Sequence, residues 1–172
     1  MSRTVRLPGL PSLEKSIQST AFVPGHDPAV VFEHGRDAKL LPKIPGGNLY
    51  VENDMFAPGA AVGVRLAIRG LKTNIRYEGQ VTTCSVEEGI QIVGEAPPFG
   101  SADMWLNLAT SEVDGTDIDY GILLRAANPL EVPALVVISA FMRGKVDKFA
   151  DQYRQNVMAA IPPMAAIPQD IE

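Results

Sequence analysis

One uninterrupted amphipathic run near the end of the chain limits what the rest can become. From Glu131 to Ile161, the residues Leu135, Ile138, Met142, Val146, Phe149, Tyr153 and Val157 recur at steps of three and four. That spacing lays them along one face of a single long helix. Pro162-Pro163 stops it. Gly144 is a weak point inside it, costing about 1 kcal/mol relative to Ala. A helix of this length with an apolar stripe needs a broad apolar surface to lie against.

The preceding segments supply one, because their apolar residues alternate. In Glu14–Val23, Ile17, Ser19 and Ala21 alternate with Gln18, Thr20 and Phe22. Leu49 and Val51 follow, then Val62, Val64, Leu66 and Ile68, then Ile75, Tyr77, Gly79 and Val81. Further strands are expected at Ile90–Gly94, Ala102–Ala109 and Asp117–Arg125, with hairpin turns at Glu87-Glu88-Gly89 and Val113–Thr116. Parity changes between Ile68 and Ile75, which predicts an extra residue, a β-bulge, near Gly70. After the first strand, Asp27-Pro28 has the form of a helix start. A second helical piece, Arg36–Leu41, ends at Pro42 and Pro45. The stretch KLLPKIPGG, Lys39–Gly47, is then a turn into the sheet, with Gly46 and Gly47 supplying backbone freedom. As a phosphate cradle it lacks the lysine-serine pair and the following helix. The order is strand, two short helices, five or six antiparallel strands and a long C-terminal helix, which makes the class α+β. Residues 14–161 form the expected domain, residues 1–13 an extended arm, and residues 162–172 a Pro-containing tail.

Composition narrows the function classes. The 172 residues are 46% hydrophobic and 20% charged, with net charge −5 and pI about 5.1. That balance argues against a nucleic-acid partner. One cysteine, Cys84, excludes an intrachain disulfide and suits a reducing compartment. The N-terminus has no signal-like apolar core, and no apolar run approaches the roughly 20 residues of a membrane span. A cytoplasmic protein without an integral membrane segment is expected. His26 and His34 are the only histidines, so no zinc spacing arises. Asp114, Asp117 and Asp119 lack the calcium-loop spacing and fit a solvated hairpin. His34 has no evident catalytic partner. No metal and no cofactor are expected.

Three motifs in this order resemble the START-like superfamily, also called SRPBCC or Bet v 1-like. They are DPAVVFEHGRDAKLLPKIPGG (Asp27–Gly47), RGLKTNIRYEGQVTTCSVEEG (Arg69–Gly89) and DGTDIDYGI (Asp114–Ile122). The pattern is similar to the CoxG-like branch, named for a carbon monoxide dehydrogenase component, beside polyketide cyclase/dehydrase-like proteins. It covers roughly residues 14–160. The resemblance implies a helix-grip fold, a curved antiparallel sheet wrapped around a long C-terminal helix with two short helices after the first strand, and a cavity between the sheet and the terminal helix that receives apolar ligands. Some members of that branch carry a C-terminal membrane segment; this sequence ends in AIPPMAAIPQDIE.

Alternation assigns the inner side of the sheet to residues that include Leu66, Tyr77, Ile92, Met104, Leu106, Tyr120 and Ile122, and the helix adds Ile138 and Met142. These are the candidate ligand-binding residues. Tyr77 and Tyr120 bring hydroxyls that want partners when buried, though backbone or water could satisfy them. Glu95 and Asn53 lie near strand ends, within reach of a cavity mouth. A small hydrophobic ligand, a lipid, quinone or polyketide-like ring system, is the first expectation. A cyclase, aromatase or dehydratase is the second, with Tyr77, Tyr120 or Glu95 as its acid/base candidates. An accessory role beside a molybdenum hydroxylase is the third. Homodimerisation is left open.

Overall fold

The computed structural model describes residues 13–43, 47–67, 74–97 and 100–161. The described residues form seven strands: β1 (Glu14–Pro24), β2 (Gly47–Val51), β3 (Ala61–Ala67), β4 (Asn74–Ser85), β5 (Gly89–Glu95), β6 (Ser101–Thr110) and β7 (Gly115–Arg125). All pair antiparallel in one curled sheet, in the order β1-β7-β6-β5-β4-β3-β2. Helix α1 (Pro28–Gly35) and a 3-10 turn at Ala38–Leu40 lie between β1 and β2, and helix α2 (Val132–Ala160) follows β7. This is the α+β arrangement expected from the sequence. The arm, the tail, Gly46 and Gly70 lie outside the described residues.

β2 through β7 form a simple meander, so each pairs with its neighbour in sequence. β1 instead pairs with β7, which puts β1 and β2 at opposite edges. Six inter-strand spacings of about 4.8 Å separate those edges along the sheet. The connection carrying α1 therefore has to cross the concave side. Asp27 starts α1 as its N-cap, accepting the Ala29 N–H at 2.8 Å, with Pro28 in the first turn. Asp37 repeats the device, accepting the Lys39 N–H at 2.9 Å. The second helical piece expected at Arg36–Leu41 is therefore a single 3-10 turn.

The change of parity has a simpler cause than a bulge near Gly70. Val64 faces Tyr77 and Leu66 faces Ile75 across β3 and β4. In this register each even-numbered residue meets an odd-numbered one, so parity must change around the hairpin. An irregularity does occur between Val81 and Thr83, where the register against β5 shifts. The curl has a second source. Gly79 and Gly94 face each other, and a Cβ on Gly94 would meet the backbone of Glu78 and Gly79. Two missing side chains let β4 and β5 close toward the concave side.

Helix α2 has 29 residues, so it is about 43 Å long. At its start, Asn128 accepts the Leu130 N–H and donates to Glu131, which also accepts the Ala127 N–H at 2.8 Å. Leu135, Ile138, Val146, Ala150, Tyr153 and Val157 form its buried stripe. The helix packs chiefly on β1 and to a lesser extent on β7, so the sheet's grip on it is lopsided. Two bonds tie it to the β1–β2 connection. The Tyr153 hydroxyl donates to the Gly35 carbonyl at 2.7 Å, fully inside, and Asn156 Nδ2 donates to the Leu40 carbonyl at 2.7 Å. A Cβ on Gly35 would collide with that hydroxyl. No described helix is long and apolar enough to cross a membrane.

Two outcomes are expected from this packing. Gly144 is exposed and a Cβ there would meet nothing within 4 Å, so Gly144→Ala should stabilise by about 0.5–1 kcal/mol in denaturant unfolding. Tyr153→Phe should destabilise by about 1–3 kcal/mol by leaving a buried carbonyl without its donor. Gly35→Ala should cost less in that Tyr153→Phe background than alone, and a double-mutant cycle measures the difference.

Candidate functional site

The pairing registers arrange the concave face into rows. One row runs Val81, Ile92, Met104, Ile122 and Ile17. The next toward the β3–β4 turn runs Val62, Gly79, Gly94, Ala102 and Leu124. Three small residues in line leave the middle of that second row shallow. On the other side lies Ile90, Leu106, Tyr120 and Ser19.

Apolar packing divides over this face into two main groups. Ile17, Val23, Val31, Ile118 and Tyr120 pack with Val146, Ala150, Tyr153 and Val157 of α2. Phe32, Val51, Phe56, Val62, Tyr77, Val81, Ile90 and Ile92 form the other, to which α2 contributes no buried residue. Leu41, Leu106, Leu108, Ile122 and Leu124 touch both groups, yet none of them is fully buried. Met104, Met142 and Phe149 are likewise only half-buried. Buried residues of α2 thus pack with the Ile17 group and not with the Tyr77 group.

Tyr77 and Tyr120 carry the polar chemistry of this face. Both rings are buried, and neither hydroxyl has a hydrogen-bond partner. Ser19 stands opposite Tyr120 and slightly favours its ionised form, but the two do not reach hydrogen-bond geometry. Burial raises the pKa of both tyrosines, and the Asp103 carboxylate adds to the effect at Tyr77. Both hydroxyls therefore stay protonated at neutral pH and act as donors. Tyr77 lies back over Gly79, its ring filling the place of the missing side chain. Three strand spacings, about 14 Å in a flat sheet, separate the strands that carry the two residues.

The other sequence candidates divide clearly. Ile92 and Met104 join the Tyr77 group, Met142 the Tyr120 group, and Leu106 and Ile122 bridge the two. Leu66 and Ile138 are buried but belong to neither. Glu95 is a correction. It is exposed, and its parity is opposite to that of Ile92 and Ala96, so it sits on the convex side, on the face opposite to Tyr77 and Tyr120. Asn53 is exposed in a short turn at φ 58°. Sequence reasoning missed Leu41, which the β1–β2 connection brings in, and the Gly79–Gly94–Ala102 row, which only the register reveals.

A second polar cluster lies beneath α1. Cys84 donates to the Phe56 carbonyl at 3.3 Å, and burial raises its thiol pKa despite nearby Arg36. A protonated, bonded thiol is a poor nucleophile. Arg36 Nε lies 3.4 Å from Glu33 but out of line for a hydrogen bond. Among the described residues no group of three or more His, Cys, Asp or Glu side chains could hold a metal ion.

No protein-family profile matches the chain, and no curated protein matches it. Solved structures do match in fold. TTHA0849 from Thermus thermophilus aligns with a TM-score of 0.64 at 13% identity, over 86% of this chain and 100% of that one. Truncated norcoclaurine synthase from Thalictrum flavum aligns at 0.62 and 15%, over 88% and 98%. The Zhui aromatase/cyclase from Streptomyces sp. R1128 aligns at 0.58 and 13%, over 90% and 99%. Ara h 8.0201 aligns at 0.57 and 13%, over 85% and 99%. At these identities the likeness is one of architecture: the chain has the helix-grip fold of the START-like, Bet v 1-like proteins.

Proposed function

We propose that a gap opens between α2 and the concave face and that this protein binds there a small, largely apolar, uncharged molecule carrying acceptor oxygens. The observation that carries this is the pair of buried, unpartnered hydroxyls on Tyr77 and Tyr120, set among half-buried aliphatic side chains. An unpaired buried hydroxyl costs about 1–3 kcal/mol. A ligand carbonyl or ether oxygen removes that cost, while the surrounding Met104, Leu106, Ile122 and Met142 bury its carbon frame. A quinone or polyketide-like ring system fits this donor pattern. A fatty acid fits it poorly, since its carboxylate would face two neutral donors in an apolar setting.

A cyclase or dehydratase would need a group that both takes and returns a proton. Tyr77 and Tyr120 are held protonated, so they can polarise a carbonyl but are poor bases. Glu95, the remaining candidate, is on the convex side. The geometry therefore favours binding over turnover. Native mass spectrometry of the purified protein tests for a co-purified small molecule.

Two substitution experiments separate a binding gap from a plain core. Tyr77→Phe and Tyr120→Phe should each hold or raise the melting temperature of the ligand-free protein. Each should also weaken menadione binding about 2- to 10-fold, the worth of one neutral hydrogen bond. Lower stability with unchanged binding would instead assign both hydroxyls a structural role. Met142→Trp should block binding of an apolar fluorescent probe with far-UV circular dichroism nearly unchanged. In a filled core it would overpack by about 1–3 kcal/mol and lower the melting point while probe binding stayed the same.

A further inference from the structure

The convex face of the sheet has a hollow of its own, with a different chemistry. Its volume is about 390 Å³, within the range of roughly 300–1,000 Å³ usual for small-molecule sites. Trp105 lies at its centre, facing Gln91 of β5 on one side and Gly121 of β7 on the other, with Gln18 of β1 beyond Gly121. A side chain on Gly121 would collide with the indole, so the glycine lets the ring settle onto the sheet. Trp105 Nε1 donates to Asp119 Oδ2 at 3.3 Å, which fixes the ring in place. The indole remains partly accessible.

Polar groups converge around this platform. Gln18, Gln91 and Asn107 line the hollow and are exposed. Each carboxamide both donates and accepts. Asp103 presents a carboxylate whose Oδ2 is held by Arg125 Nη1 at 2.6 Å, while its Oδ1 is buried without a partner. Val93 and Leu123 add apolar surface beside it.

We propose that this hollow is a second binding site, separate from the gap under α2, that takes a neutral saccharide. A sugar ring has one face of C–H groups, which suits an aromatic platform. Its rim of hydroxyls needs donors and acceptors together, which three carboxamides and two carboxylates supply. A free anion would be repelled by Asp103 and Asp119, and an apolar molecule would strand the amides.

The chain contains one tryptophan, and it is the platform, so intrinsic fluorescence reads this site directly. The experiment titrates the full chain with cellobiose, lactose and α-1,2-mannobiose at millimolar concentrations. A saturable change in Trp105 emission is expected with at least one of them. Gln91→Ala/Asn107→Ala should weaken it about tenfold or more, or 1.4 kcal/mol, without changing the melting temperature. Binding of menadione to that variant should stay the same, which separates this site from the gap under α2. No saturable change with any of the three sugars, or an equal response in the variant, would overturn the proposal. So would a response to choline chloride that exceeds the sugars, since that would assign the platform to a cation.

Discussion

The hydrogen bond from Tyr153 to the Gly35 carbonyl organises the concave side of this protein. It joins the long C-terminal helix to the end of the short helix that starts the crossing from β1 to β2. The contact tolerates no side chain at position 35 and is shut off from water. Burial raises the pKa of the Tyr153 hydroxyl as well, so it remains a donor at any ordinary pH. Asn156 repeats the link one turn later at Leu40. Together these bonds fix the separation between α2 and the crossing segment, and thereby how much of the sheet each one covers.

That division of the cover accounts for the two packing groups. Around Tyr153, β1 and β7 close tightly on α2, and Val157, Val23 and Ile118 have no accessible surface. On the far side, Phe32 from α1 and Phe56 from the β2–β3 connection cap the sheet without help from α2. Between the two covers, Leu106, Ile122 and Leu124 pack against both groups and are only partly buried.

Much of the architecture was legible because it rests on periodicity. The stripe from Leu135 to Val157 specified one helix, and α2 runs from Val132 to Ala160. Alternation put Tyr77, Ile92, Met104 and Tyr120 on one face, as their register requires. The site was less legible, because period two assigns a face but says nothing about which neighbours share a row. Gly79, Gly94 and Ala102 are far apart in sequence and align only through pairing. The parity change at the β3–β4 hairpin suggested a bulge, whereas register alone produces it. Glu95 was assigned by closeness to a strand end, a criterion blind to which side a side chain takes. Trp105 stood among candidates for neither face, since nothing local to it announces that Gly121 will lie alongside.

The placement of β1 has a kinetic side. Strands β2 to β7 each pair with a strand next in sequence, so short loops suffice to bring them together. β1 must wait for β7, and the ion pair between Glu14 and Arg125 spans 111 residues. Closing so long a loop loses more chain entropy than any hairpin in the meander. Until β7 forms, Ile17 and Val23 have no partner strand, and α2 has no seat, because its stripe rests mainly on β1. The last steps of folding are therefore coupled: the first strand and the last helix complete the molecule together, and the concave face is covered only with them.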